Sequence, residues 1–144
     1  MKLKNLLITI IFLGSFTFSC KKESNSTISK DMQVRYEVTW AGTLNASYSG
    51  IGYNQLAYIN NTGNTQSDNL PIPGNSYTKT VTIPSSVHLG TIIAQFGVVL
   101  NQPGTGEIKV YVNDKLVASQ TAMTTITGST NFNVLVLNVH WTVI

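Results

Sequence analysis

Charge is what this chain has least of: 10% of its 144 residues are Asp, Glu, Lys or Arg, and their positions decide what the net value of +3 means. Lys2, Lys4, Lys21, Lys22 and Lys30 lie before Met32. From Met32 onward Arg35, Lys79, Lys109 and Lys115 face Glu37, Asp68, Glu107 and Asp114, and four minus four leaves that part neutral. A neutral domain with no basic cluster lacks the phosphate-neutralising footprint of a nucleic-acid binder. With Cys20 as the single cysteine, no intrachain disulfide forms. Two histidines, His88 and His140, stand far apart without partners spaced for zinc or a nucleophile–base pair, and read as surface residues. No phosphate loop, G-x-S-x-G elbow or dinucleotide fingerprint occurs. Helical periodicity is also missing after Met32.

The first thirty residues hold a pattern of another kind. Lys2 and Lys4 precede the apolar run Leu6–Leu13, and small residues follow. The stretch from Leu6 to Phe18 falls short of the about twenty residues a spanning helix needs, which marks an export signal. Thr17-Phe18-Ser19-Cys20 resembles the lipobox of bacterial lipoproteins, with Thr17 where Leu is commonest, and Cys20-Lys21-Lys22-Glu23-Ser24 is similar to the start of many Bacteroidetes lipoproteins. The resemblance implies cleavage before Cys20, lipidation (palmitate) of its sulfur and attachment to the cell outer membrane on its periplasmic or surface face. Two or more acyl chains hold a protein stably where one holds it marginally. The other reading of Cys20 is an ordinary buried thiol behind an uncleaved anchor. Residues 1–19 are thus assigned to the signal peptide, 20–31 to the lipidated cysteine and a flexible polar tether, and 32–144 to one β domain.

That domain reads as strands. Gln33–Trp40 alternates, with Val34, Tyr36, Val38 and Trp40 on one face. Leu44, Ala46 and Tyr48 continue the period of two, and Gln55–Ile59 precedes the Asn60–Asn64 turn cluster. Tyr77–Ile83 alternates again, and Thr91–Leu100 is apolar enough on both faces to be a central strand. Glu107–Val112 returns through Asn113-Asp114-Lys115 into Leu116, Ala118 and Gln120. A two-residue loop would set Val112 against Lys115, and a three-residue loop would set Val112 against Leu116 and Val110 against Ala118. Burial favours the longer loop. Asn131–Ile144 keeps Leu135, Leu137, Val139, Trp141 and Val143 on one face, while the other changes from Phe132, Val134 and Val136 to Asn138, His140 and Thr142. The expected fold is all-β, a small antiparallel Ig-like sandwich of seven to nine strands.

Tyr36-Glu37-Val38-Thr39, Ala46-Ser47-Tyr48, Leu70-Pro71 and the run Gly106–Lys115 resemble the MmpS family of small envelope lipoproteins. That resemblance implies a compact β-sandwich in an accessory role beside a transporter. For chemistry, the domain offers Glu37 and Glu107 on the polar phases of their strands and Asp114 in a turn, solvated positions rather than a catalytic pair. The Asn60–Asp68 segment has one carboxylate and no calcium-loop spacing. Tyr53 and Tyr58, beside Gly- and Asn-rich turns, are the candidate ligand-binding residues, for a glycan or a small apolar ligand. The function expected is a non-catalytic interaction module of the envelope, without catalytic residue, cofactor or metal, that contacts another envelope protein; the alternative is a glycan or small-ligand binder.

Overall fold

A computed structural model of the chain describes residues 30–48, 52–127 and 132–144. Among the described residues nine strands form two antiparallel sheets that pack face to face as a β-sandwich. Sheet A has the order β4-β1-β6-β7, built from β1 (Met32–Trp40), β4 (Ser76–Ile83), β6 (Thr105–Val112) and β7 (Lys115–Met123). Sheet B has the order β3-β2-β5-β9-β8, built from β2 (Gln55–Ile59), β3 (Thr65–Asn69), β5 (Thr91–Leu100), β8 (Thr125–Thr127) and β9 (Phe132–Thr142). No α-helix occurs among the described residues.

Alternation in the sequence becomes the core directly. Val34, Tyr36 and Val38 of β1, Ile108 and Val110 of β6, and Ile92, Ala94, Phe96, Val98 and Leu100 of β5 are all buried where the sheets meet. Each large side chain buried in this way contributes roughly 1.5–3 kcal/mol. Tyr36 crosses the layer. Its ring packs 5.4 Å from that of Tyr58, and its hydroxyl donates to the Ile59 carbonyl oxygen at 3.1 Å, tying β1 to β2. Burial pushes the Tyr36 hydroxyl well above the usual phenol range. As expected, β5 is a central strand, between β2 and β9.

Three local readings need correction. Leu44, Ala46 and Tyr48 do not form a strand: Leu44 makes an isolated bridge to Leu100, and Ala46–Tyr48 is a 3-10 turn. The Asn45 side chain accepts the Ser47 backbone N–H at 3.2 Å while the Asn45 carbonyl accepts that of Tyr48 at 3.1 Å, local bonds that compete with a ladder. β3, Thr65-Gln66-Ser67-Asp68-Asn69, has no apolar phase and so escaped notice. The β6–β7 hairpin takes the two-residue loop. Asn113 and Asp114 adopt φ of 48° and 64°, the left-handed pair that a type I′ turn demands, and Val112 pairs with Lys115. A bulge next to Tyr111 and Leu116 then shifts the register, so Val110 still faces Ala118. Burial is satisfied by the bulge and not by a longer loop, which leaves Leu116 47% exposed.

β7 and β8 are nearly one strand that changes sheets. Around Thr124 the chain leaves β6 for β9, held by the Thr124 N–H on the Gly104 carbonyl (2.8 Å) and the Gly104 N–H on the Thr124 hydroxyl (3.0 Å). Its short stay in sheet B gives β9 ladder partners only at Phe132, Asn133 and Val134 among the described residues, and beyond them β7 runs beside the same edge without a ladder.

Candidate functional site: the two seams of the sandwich

An open sandwich has two seams where sheet edges face each other. At one, β4 of sheet A lies opposite β3 of sheet B. Register with β1 places Tyr77 and Lys79 on the inward phase of β4, across from Val38 and Tyr36, and register with β2 places Asp68 across from Leu56. The Asp68 carboxylate oxygen Oδ2 accepts from the Tyr77 hydroxyl at 2.8 Å, the Lys79 ammonium at 2.9 Å and the Tyr58 hydroxyl at 3.1 Å. Burial works to raise the Asp68 carboxyl, but the bonds from Lys79, Tyr77 and Tyr58 together hold it below its ordinary value. The bond to Asp68, then the nearby Tyr58, raises the Lys79 ammonium; burial, then Asp68, raises the Tyr58 and Tyr77 hydroxyls. Lys79 also sits 5.2 Å from the centre of the Tyr58 ring. A cleft of about 350 Å³ opens beside this group, lined by Tyr58, Asn60, Gln66, Lys79 and Thr82.

The other seam carries no such group. There β7 of sheet A lies beside β9 of sheet B. Of the eleven residues of β9, Phe132, Asn133 and Val134 pair with β8, so eight, Leu135–Thr142, have no strand partner on that side among the described residues. Hydrogen-bond direction follows from two contacts. The Val143 N–H reaches the Gly90 carbonyl next to β5 at 3.1 Å, whereas the Asn138 N–H points the other way, to the Gln120 side-chain oxygen on β7 at 2.9 Å. Residues of the parity of Asn138, namely Val136, His140 and Thr142, therefore direct their N–H and C=O groups outward along an open edge. Leu135-Val136-Leu137-Asn138-Val139-His140-Trp141-Thr142 contains no Lys, Arg, Asp, Glu or Pro. Val136 is 44% exposed there.

The candidate ligand residues separate. Tyr58 belongs to the first seam, 1% exposed with its hydroxyl on Asp68, and borders the cleft there, apart from Tyr53. Tyr53 is half-buried on the outer face of sheet B, near Gly97, and meets Tyr48 edge-on at 6.4 Å; Tyr48 in turn meets Phe132 at 4.8 Å. Behind them Asn54, fully buried with φ of 54°, accepts the Val99 N–H and donates to the Asn45 carbonyl, fixing the loop that carries Tyr48. The acids are held by cations. Glu37 bonds Arg35, and Glu107 bonds Lys109 at 2.7 Å. Asp114 lies 3.7 Å from Arg35. A shallow cleft of about 430 Å³ on sheet A contains Glu107 among Thr39, Asn75, Ser76 and Thr121. His88 and His140 are exposed. Among the described residues no three His, Cys, Asp or Glu side chains gather. Cys20, the signal and all but the last two residues of the tether lie outside the described residues.

Compared with protein-family models, curated proteins and solved structures, the chain finds no match. Two features escaped the sequence reading but left a signal. Lys79 is a charge in the apolar phase Tyr77-Lys79-Val81-Ile83, a sign of an inward-pointing edge charge. β9 is eleven residues long against three for β8, so one neighbour could not cover it.

Proposed function

We propose that this chain is a lipid-anchored module of the bacterial envelope, held at the outer membrane through Cys20, that works by contact and not by catalysis. The free edge of β9 takes an extended segment of another protein tied to the same membrane, by strand addition. The observation that carries this reading is the edge Leu135–Thr142, uncharged and without a ladder partner on the side away from β5 among the described residues, with β7 flanking the part of it nearest β8. Natural sheets blunt such edges with charge, proline or bulges, and an edge left without them is suited to pairing. The lipobox-like Thr17–Cys20 supports the anchor, and the likeness to MmpS lipoproteins supports a place beside a transporter.

The test is photo-crosslinking in cells with a photoreactive residue at His140 on the edge or, as control, at Thr78 on the opposite seam. A discrete adduct from His140 and none from Thr78 is the expected outcome; equal or absent adducts from both sites reject the edge. For the anchor, Cys20→Ser should abolish labelling by palmitate and release the protein from membranes.

A second reading has its own observation. Tyr48, Tyr53 and Phe132 form an aromatic group on the outer face of sheet B, the same face that carries the neutral polar side chains Gln95 and Asn138 further along β5 and β9, an arrangement that suits an uncharged glycan. A glycan array on which Tyr53→Ala binds as strongly as the parent protein would remove it.

A further inference from the structure

We infer that the shallow cleft on sheet A, at the end of β1 farthest from Met32, is a binding site for an extended, uncharged glycan chain that lies across the four strands with about one sugar unit per strand. The site is independent of the β9 edge and of the Tyr53 group, and depends on the Cys20 anchor only for the direction in which it opens. Register, chemistry and place each point to it.

Register builds a polar row. Thr39 of β1 stands opposite Ser76 of β4 on one side and Glu107 of β6 on the other, and Glu107 stands opposite Thr121 of β7. These residues lie on the outward phase, since Val38, Trp40, Gly106 and Ile108 beside them in sequence are buried. Ser76–Thr39–Glu107–Thr121 therefore crosses the whole sheet at the strand spacing of about 4.8 Å, roughly 14 Å from end to end, on backbones fixed by their ladders. That spacing is close to the length of one sugar unit in an extended chain, so successive units each meet an oxygen of the protein. The row begins and ends on the edge strands β4 and β7, and neither end is closed by a further strand.

Chemistry selects the ligand class. The volume of about 430 Å³ falls within the range of small-ligand sites. Thr39, Ser76, Thr105 and Thr121 supply hydroxyls, Asn75 supplies an amide, and Glu107 is the one charge among the described lining residues. Lys109 donates to Oε2 of that carboxylate at 2.7 Å, which neutralises the charge and leaves Oε1 as an acceptor. With its nearest ammonium committed in this way, the cleft has no cation to offer a phosphate or an acidic sugar. An aliphatic ligand would strip water from the hydroxyls and return no hydrogen bond. Groups that both donate and accept, set beside an amide and a carboxylate, match a ligand made of hydroxyls, and the threonine methyl groups suit the C–H faces of its rings.

Place turns the site outward. The chain enters β1 at Met32, opposite Ile83, and at that same end the Ser85 N–H donates to the Asp31 carboxylate at 3.0 Å. Thr39 lies seven residues further along β1, roughly 23 Å away at about 3.3 Å per residue. In a domain tethered through Cys20, the cleft stands at the pole opposite the tether and opens toward polymers beyond the membrane, not toward lipid.

The experiment uses the full-length lipidated chain in detergent micelles and follows the fluorescence anisotropy of labelled oligosaccharides. Cellohexaose, chitohexaose and mannohexaose are the extended, uncharged probes, and a hyaluronan hexasaccharide is the extended, acidic one. The expected result is saturable binding of at least one uncharged probe, about tenfold or more tighter than the acidic one. Glu107→Gln should weaken that binding about tenfold and Thr39→Val about threefold or more, the losses of a charged and a neutral hydrogen bond. Thr80→Val, on the outward phase of β4 opposite Arg35 and two rows away, should leave it unchanged. Thermal melts matching the parent show that these variants fold. No saturable binding of any uncharged probe, equal binding of the acidic one, or full binding by both Glu107→Gln and Thr39→Val overturns the inference. Binding lost with Tyr53→Ala and kept by the cleft variants also rejects the cleft and moves the glycan to the aromatic group. Photo-crosslinking from His140 does not depend on any of these variants, so a failure here leaves strand addition at β9 standing.

Discussion

The two seams of this sandwich are closed by opposite means. Between β3 and β4, one carboxylate gathers two phenols and an ammonium group, and three of these four side chains reach in from edge strands. Between β7 and β9, one neutral side-chain bond among the described residues, from the Asn138 N–H to the Gln120 side-chain oxygen, spans the two strands. Inward-pointing charge on an edge strand guards against pairing, because a strand added there would strip water from a group whose bonds are already committed. The β3–β4 seam therefore has its edges spoiled for partners and its sheets held together. The β7–β9 seam has no guarding charge, and its sheets are drawn together by the close approach of β7 to β9 and by apolar side chains such as Val117, Ala122 and Trp141 packed against the core.

The strongest way to break this contrast is Asp68→Ala. It leaves the nearly buried Tyr58 hydroxyl, the Tyr77 hydroxyl and the Lys79 ammonium without their shared acceptor, and should lower unfolding stability by about 2 kcal/mol in urea titrations. A loss below about 0.5 kcal/mol would mean that the seam is held by apolar packing alone.

Acid and alkali probe the same group without mutation. The Asp68 carboxyl is lowered in the fold, so its contribution is present above the unfolded carboxylate value of about 3.9 and is lost as pH falls through the folded one. Lys79, Tyr58 and Tyr77 are raised, so theirs are present below the unfolded values of about 10 and are lost as pH rises through the folded ones. Stability measured against pH should be flat from about 5 to 9 and fall on both sides, and Asp68→Asn should remove part of the acid limb. An acid limb identical in Asp68→Asn assigns that limb to other carboxylates.

Gln120→Ala strikes the weaker seam. The Asn138 N–H and its exposed neighbourhood turn to water, so the loss should stay below about 1 kcal/mol, less than half the effect of Asp68→Ala. Equal losses from the two variants would abolish the distinction between the seams.

Legibility in the sequence followed the same division. β1, β5 and the inward face of β9 were plain because apolar residues at period two have one physical meaning in a two-sheet domain. β3 was invisible, since its five polar residues are held by pairing with β2 and by what Asp68 reaches, neither of which has a local pattern. The hairpin was misread because burial was matched to loop length while a bulge, which costs one unpaired residue, served instead. Tyr53 and Tyr58 were drawn together by their turns, yet alternation sends one to an outer face and the other inward. The uncovered edge of β9 was legible only as a length out of proportion to its neighbour, because which strand ends up beside which is a property of the whole topology.

The smallest expected change in stability is also the sharpest separation of holding from pairing. Val136 projects from the outer face of β9 with 44% of its surface exposed, so Val136→Lys places a charge in water and should alter unfolding free energy by no more than about 0.5 kcal/mol. On an edge meant for pairing the same charge acts as it does on natural edge strands, and adducts through His140 should disappear while the urea midpoint stays in place. Thr78→Lys, on the outer phase of the guarded edge strand β4, should leave both quantities unchanged. If Val136→Lys keeps its adducts, the bare edge is not what partners recognise, and the aromatic group of Tyr48, Tyr53 and Phe132 becomes the surface on which contact has to be sought.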